Sequence, residues 1–496
     1  MTPPPASREP PQGGSLLPKP AEICYPISDF APRPKAPSPR GLRPQAVGEF
    51  TAIGIFTPSN RPKNPNLTPH YIKKETKTTM HISDKIKTLT AEAEIALAPY
   101  FAEIDRTSFE NTERVMDAFR EHRVAMTNFD GTSGYGYDDR GRDVLDEIWA
   151  EVMGAESAIV RHQIVSGTHA LTIGLFGILR PGDTMLSVAG KPYDTLEEVI
   201  GLCGTPGNGS LRDFGVDYDQ VDLTADGHFD YETIERKLNE LGDRAKMVFV
   251  QRSKGYLNRK TLSVPEIGEL ADFVHRVSPK SFVVVDNCYG EFVETMEPTA
   301  VGADLIIGSL IKNPGGGMAE TGGYLAGTKR AVELCSYRLT SVGVGGEVGA
   351  TFGHNKSFYK GLFYAPHTTA QALKTAHLAA YIFNALGYAV EPAWNEVRHD
   401  IIQSVITGSA EGLCAFCRGI QAGSPVDSHV TPEPWAMPGY NDPVIMAAGA
   451  FTQGSSIELS ADGPIRPPYT AFFQGGLTYE SGKLAIMSAA DAVIGG

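Results

Sequence analysis

Continuous apolar runs, with no polar alternation, mark the middle of the chain. Met247-Val248-Phe249-Val250, Phe282-Val283-Val284-Val285 and Leu305-Ile306-Ile307 are of this kind. A strand apolar on both faces must be covered on both, as the inner strands of a mainly parallel sheet are. Between these runs the segments Thr168–Leu179, Tyr231–Leu241 and Val264–Val277 carry helical patterns. Strand and helix therefore alternate from about Ala158 to Gly327, which predicts an α/β doubly wound domain. Upstream, Leu145, Ile148, Trp149, Val152 and Met153 share one helical face, and Gly154 is placed to end that helix. Met80 to about Phe119 is predicted helical as well. A helix around Thr369–Leu386 leads into a mixed C-terminal segment, read as a smaller α+β domain.

The first 79 residues break this pattern. They begin Met1-Thr2-Pro3-Pro4-Pro5 and stay rich in Pro, Ser and basic residues, without a sustained apolar period. Such a stretch buries too little surface to offset its ordering entropy. It is read as a disordered leader, or as the product of a start placed upstream of a true one near Met80. Its proline density argues against an amphipathic targeting helix. The expected organisation is a leader over 1–79, a helical segment and large domain over 80–367, and a small domain over 368–496.

Composition narrows the partners. The 496 residues are 42% hydrophobic and 21% charged, with a net charge of −14. That balance excludes nucleic acid or an anionic membrane as the main partner, since both need clustered positive charge. No segment has the uninterrupted apolar length to span a bilayer. Six cysteines (Cys24, Cys203, Cys288, Cys335, Cys414 and Cys417) are too sparse for a disulfide framework, so a soluble, cytoplasmic protein is expected.

In an open α/β sheet, ligands bind beyond the carboxyl ends of the strands, beside helix N-termini. Four segments fall there. Ser166-Gly167-Thr168 joins a strand to a helix; its amides and hydroxyls suit a phosphate, and equally an ordinary helix cap. Asp286 ends the run Val283-Val284-Val285 and offers a carboxylate to a protonated ring nitrogen, or simply caps the next segment. Lys312 lies between Ser309 and Gly315-Gly316-Gly317, where the backbone can come close to a ligand. A lysine buried there is expected to have a lowered pKa and to act as nucleophile and base. Tyr193 follows a strand and can stack on a flat ring.

Cys414-Ala415-Phe416-Cys417 has redox or zinc spacing, but it stands alone in an apolar helix. Gly343-Val344-Gly345-Gly346-Glu347 lacks the preceding strand of a dinucleotide fingerprint. His354, His367 and His377 have no metal-ligand spacing, and no metal is expected.

The order of the four segments is that of fold-type I pyridoxal-phosphate (PLP) enzymes. Gly134-Tyr135-Gly136-Tyr137-Asp138-Asp139-Arg140-Gly141-Arg142, Gln251-Arg252-Ser253-Lys254-Gly255-Tyr256 and Ser309-Leu310-Ile311-Lys312-Asn313-Pro314-Gly315-Gly316-Gly317 add a more specific likeness. From Met80 onward the chain resembles the cystathionine/methionine γ-lyase group, and within it the methionine γ-lyase-like, aluminium-resistance branch. The resemblance implies a PLP-dependent carbon–sulfur lyase that eliminates from the β- or γ-carbon of a sulfur-containing amino acid. It makes Lys312 the Schiff-base lysine, Asp286 the partner of the ring nitrogen and Tyr193 the stacking residue. Ser166, Gly167, Thr168 and Ser309 become phosphate contacts. It also implies a homodimer or homotetramer in which Tyr137 reaches the neighbouring subunit's phosphate. The group's Tyr-x-Arg pattern is only partly met, because Arg140 lies three residues beyond Tyr137. An arginine must hold the substrate carboxylate: Arg466 by position, Arg398 less so, with Arg252 at a strand end as a further candidate. Rival readings are a PLP transaminase or replacement enzyme, and a non-catalytic stress-response protein that keeps the fold.

Overall fold

The apolar runs assemble as one sheet because each feeds two cores at once. In the computed structural model, which describes residues 80–495 apart from Asn258 and Pro438, this sheet has seven strands. The expected leader over 1–79 lies outside the described residues. The strands are β1 (Ser157–Arg161), β2 (Thr184–Ser187), β3 (Asp217–Gln220), β4 (Ala245–Gln251), β5 (Phe282–Asp286), β6 (Leu305–Ser309) and β7 (Gly323–Gly327), in the order β1-β7-β6-β5-β4-β2-β3. From β3 to β6 every pairing is parallel, whereas β7 runs antiparallel to both β6 and β1.

Alternation along the strands divides the side chains. Val248, Val250, Val283, Val285 and Ile306 enter one core with Trp149 and Leu145; Met247, Phe249, Val284, Leu305 and Ile307 enter another with Leu171 and Leu175. Each such side chain, fully withdrawn from water, contributes about 1.5–3 kcal/mol. Helices α1 (Asp84–Glu121), α2 (Arg140–Met153), α3 (Gly167–Ile178), α4 (Asp194–Ile200), α5 (Tyr231–Leu241), α6 (Val264–Val277) and α7 (Lys329–Leu339) accompany this sheet. Their ends follow local chemistry. Gly154 stops α2 at φ 64°, where a side chain would be strained, and Ser263 with Glu266 forms a capping box on α6.

The second sheet is antiparallel throughout. Its strands β8 (Ala389–Glu391), β9 (Gln403–Ile406), β10 (Val444–Ala447), β11 (Ser460–Pro464) and β12 (Thr470–Gln474) lie in the order β10-β11-β12-β9-β8. Helices α9 (Ala410–Ala422) and α10 (Tyr479–Gly495) cover it through Phe416, Phe473 and Ile486. Cys414 and Cys417 are buried in α9.

The boundary expected at 367/368 does not exist as a break. It falls inside one continuous helix, α8 (Asn355–Ala385), which starts well before the predicted Thr369. Phe358 and Leu362 of α8 enter the first sheet's core, and Leu378 and Phe383 the second's. Pro366 within it leaves the helix unbroken. The N-terminal half of α8 also meets the backbone after Lys312: a Cβ on Gly361 would lie 2.5 Å from the Gly315 carbonyl oxygen. Gly361→Ala is therefore expected to cost about 1–3 kcal/mol of stability, as overpacking does, read from the urea midpoint at unchanged slope.

Candidate active site

Two parallel strands end at the same level, and the third runs two residues further. Gln251 is the last residue of β4, Asp286 of β5 and Ser309 of β6, with Gln251 directly opposite Asp286 in the register. The N-terminus of α3 reaches the same level, bringing Gly167 and Thr168. Opposite stand Met446 of β10, Asp462 of β11 and Gln474 of β12. Together they enclose a cavity of about 250 Å³, which Tyr193, Tyr256, Tyr289, Tyr440 and Lys312 also line.

Lys312 is placed by the turn that follows β6. Its carbonyl accepts from the Gly315 amide at 3.3 Å, and Gly316 takes φ 55°. The ammonium sits 3.9 Å from the centre of the Tyr289 ring. Tyr289 itself has φ 74°, a left-handed conformation that costs a non-glycine residue about 1–2 kcal/mol. Its hydroxyl accepts from Ser456 Oγ at 3.3 Å. Burial opposes the charge on Lys312, but the acidic groups around it, Cys288, Tyr289, Asp286 and Glu291, outweigh that and raise its pKa. The expected lowering is thus corrected: acidic neighbours, not desolvation, decide the direction.

Burial pushes the Asp286 carboxyl up, while Lys312 and the Cys288 amide, which donates to Oδ1 at 3.1 Å, act against that. Burial also holds the Tyr193 phenol well above its usual range. The Tyr193 and Tyr440 hydroxyls are hydrogen-bonded at 2.8 Å, and Gly255 at φ 56° makes room for the Tyr193 ring. Thr168 and Thr195 pair their hydroxyls at 2.9 Å at the mouth of α3.

Of the residues singled out from the sequence, Lys312, Asp286, Tyr193, Gly167, Thr168 and Ser309 meet in this cavity. The others do not line it. Ser166 spends its hydroxyl on its own helix, accepting from the His169 amide at 3.1 Å. Arg252 is corrected outright. Alternation sends Gln251 and Ser253 to the cavity and Arg252 away from it, into a fully buried cluster with Glu294 at 2.7 Å, Asn287 at 2.8 Å and Glu297 at 3.5 Å. Arg466 is half-exposed and paired with Asp442 at 2.9 Å. Arg398, which is not helical, donates to the Ala376 carbonyl in a separate hollow with Lys254 and Asp400. Tyr137 is exposed on the surface. Sequence reasoning missed Asp462, Tyr256 and Tyr440, which all line the cavity. A β-alternation test on Ser460–Pro464 would not have found Asp462, because every residue of that strand is buried.

The cavity fits PLP. Asp286 is a strand-end carboxylate with no ion pair among the described residues, and three buried polar atoms that belong to lining residues, Gln251 Oε1, Ser455 Oγ and Asp462 Oδ1, have no hydrogen-bond partner there. A helix N-terminus with a glycine at its first turn supplies the anion-binding amides.

Comparison with known proteins agrees. A family model described as methionine gamma-lyase matches residues 86–494. YnbB, an uncharacterized protein of Bacillus subtilis strain 168, is 51% identical over 416 residues, which is 84% of this chain and 98% of that one. The crystal structure of a carbon-sulfur lyase involved in aluminum resistance from Clostridium novyi NT is 51% identical, with a TM-score of 0.79 over 82% of this chain and 96% of that one. The likeness in fold extends to the pyridoxal-5'-phosphate-dependent protein YhfS of Escherichia coli, at 14% identity and a TM-score of 0.53, over 79% of this chain and 97% of that one. The fold is that of the fold-type I PLP enzymes.

Two outcomes test the electrostatics. Arg252→Ala leaves buried carboxylates without their main cation, so stability should fall by about 3–5 kcal/mol in urea titration. Glu291, beneath the cavity, accepts from the Tyr324 hydroxyl at 2.9 Å, and burial raises its pKa from 4.5 to about 8. The folded chain thus keeps a proton that the unfolded chain releases near 4.5. Its contribution is full below that pH and is lost as pH rises to about 8. Stability should decline over that window by on the order of 1 kcal/mol per pH unit, and Glu291→Gln should flatten the decline.

Proposed function

Because the chain belongs to the methionine gamma-lyase family, we propose that it is a PLP-dependent carbon–sulfur lyase acting on a sulfur-containing amino acid. The observation that carries this reading is that Lys312 and the buried Asp286 line one cavity at the ends of β5 and β6. Gly167, Thr168 and Ser309 would hold the cofactor's phosphate, Tyr193 its ring face, Asp286 its ring nitrogen and Lys312 its aldehyde carbon. When bound, PLP supplies a sink for the charge that builds at the substrate's α-carbon.

The chain's own groups move the protons. Lys312 takes the proton from the α-carbon once its amine is free, and its acidic neighbours favour the protonated form that results. Tyr193, kept a phenol by burial and hydrogen-bonded to Tyr440, is placed to give a proton to sulfur leaving the β- or γ-carbon. The tyrosine rings keep water from that carbon.

We further place the protein in a reducing compartment, the cytoplasm, as a homodimer or homotetramer. The five free cysteines among the described residues support the compartment. No described helix is long and apolar enough to cross a membrane. Exposed Tyr135, Tyr137 and Phe352 support a subunit contact through which Tyr137 reaches a neighbour's cofactor.

Protein purified with added PLP should show the cofactor's visible absorbance, and Lys312→Ala should lose it. Incubation with sulfur amino acids should release a 2-oxo acid and a thiol without an acceptor, and Lys312→Ala should slow this by about 10²–10⁴-fold. Oxo acid formed only with an acceptor would make it a transaminase. Absorbance without any product would make it a binding protein. A colourless protein indifferent to PLP would end the reading altogether.

A further inference from the structure

Asp462 is a buried carboxylate with one oxygen left unpartnered among the described residues. It stands on β11 between Met446 of β10 and Phe472 of β12, faces the cavity, and is 8% exposed. Its Oδ1 has no hydrogen-bond partner among the described residues. Burial holds the group at about 7, with Tyr256 and Lys312 the influences that lower it.

The walls beside it are aromatic. Tyr256 lies with its ring centre 5.6 Å from that of Tyr193 and 5.9 Å from that of Tyr440, and those two are 6.2 Å apart. Three ring faces and edges around a buried carboxylate form a pocket for a positive charge, because the quadrupole and the anion both attract it. Among the described lining residues Lys312 is the sole basic side chain, and the cofactor would engage it. An anionic side chain entering here would meet Asp462, with no arginine among the described lining residues to receive it.

We propose that Asp462, with Tyr256 and Tyr440, is the specificity pocket of this cavity, and that it selects amino acids whose side chain ends in an ammonium group. The inference rests on the reading of the cavity as a PLP amino-acid site and adds the class of substrate. The α-amino group goes to the cofactor. The far ammonium pairs with Asp462 and lies against the tyrosine rings, so the bond to sulfur sits between the two anchored ends.

The test uses the PLP-loaded protein and three probes that lack sulfur and cannot be eliminated: L-ornithine, L-norvaline of equal carbon count, and anionic L-glutamate. Binding is measured by calorimetry and by the change in cofactor absorbance. L-Ornithine should bind about 10- to 100-fold more tightly than L-norvaline, the worth of one charge-assisted hydrogen bond, and L-glutamate should bind most weakly. Asp462→Asn, checked by thermal unfolding and by its cofactor absorbance, should bring L-ornithine to the level of L-norvaline. If that variant does not fold, the wild-type ranking decides by itself. Cofactor absorbance with L-norvaline or L-glutamate equal to or tighter than L-ornithine overturns this inference and leaves the lyase reading standing. Absence of cofactor absorbance in the wild type overturns both.

Discussion

Charge held out of water is the constraint on which this molecule turns. Lys312 is half-buried beside the buried Asp286, with Glu291 beneath and Asp462 across the cavity, and each carboxyl is pushed up by burial. Desolvating an isolated charge costs several kcal/mol, so such groups persist only where a rigid frame leaves them no route to solvent. The frame is the doubly covered parallel sheet. The register sets Gln251 against Asp286, β6 runs two residues further, and the turn after Ser309 delivers the lysine. The left-handed backbone of Tyr289 belongs to the same arrangement, a local cost met by the packing around it.

The same constraint separates structural charges from chemical ones. Arg252 is fully buried and Lys312 only half-buried, but the sharper difference is that every polar neighbour of Arg252 is a fixed protein group: Asn287, Glu294, Glu297 and the Leu262 carbonyl. It is a satisfied charge. Lys312 makes no ion pair or hydrogen bond through its ammonium among the described residues, resting against the Tyr289 ring, and Asp462 keeps an oxygen unpaired. Groups whose partners are incomplete within the chain are those with something left to bind.

Much of this was legible in the residues. The three continuous apolar runs became β4, β5 and β6, each extended by one to three residues, because strands covered on both faces need no alternation to be recognised. Lys312, Asp286, Tyr193 and the Gly167-Thr168 turn could be placed because in a parallel sheet each strand's carboxyl end faces the same side. The arginines could not be. One step of alternation at the end of β4 turns Arg252 to the opposite face, and sequence carries no marker of where the strand stops. Asp462 was hidden for another reason: its position depends on antiparallel pairing among β9 to β12, whose sheet order β10-β11-β12-β9 departs from their order along the chain.

Helix α8 has one more implication. It is a single rod with one end in each core, and near its N-terminal end Gly361 touches the backbone that seats Lys312. A pair of lobes joined by a flexible strap can open without disturbing either. A rod cannot bend at low cost, so tilting the second sheet drags on the lysine's own turn. The turn that seats Lys312 and the sheet that carries Asp462 are thereby held against one continuous element, so the two walls of the cavity share a single support.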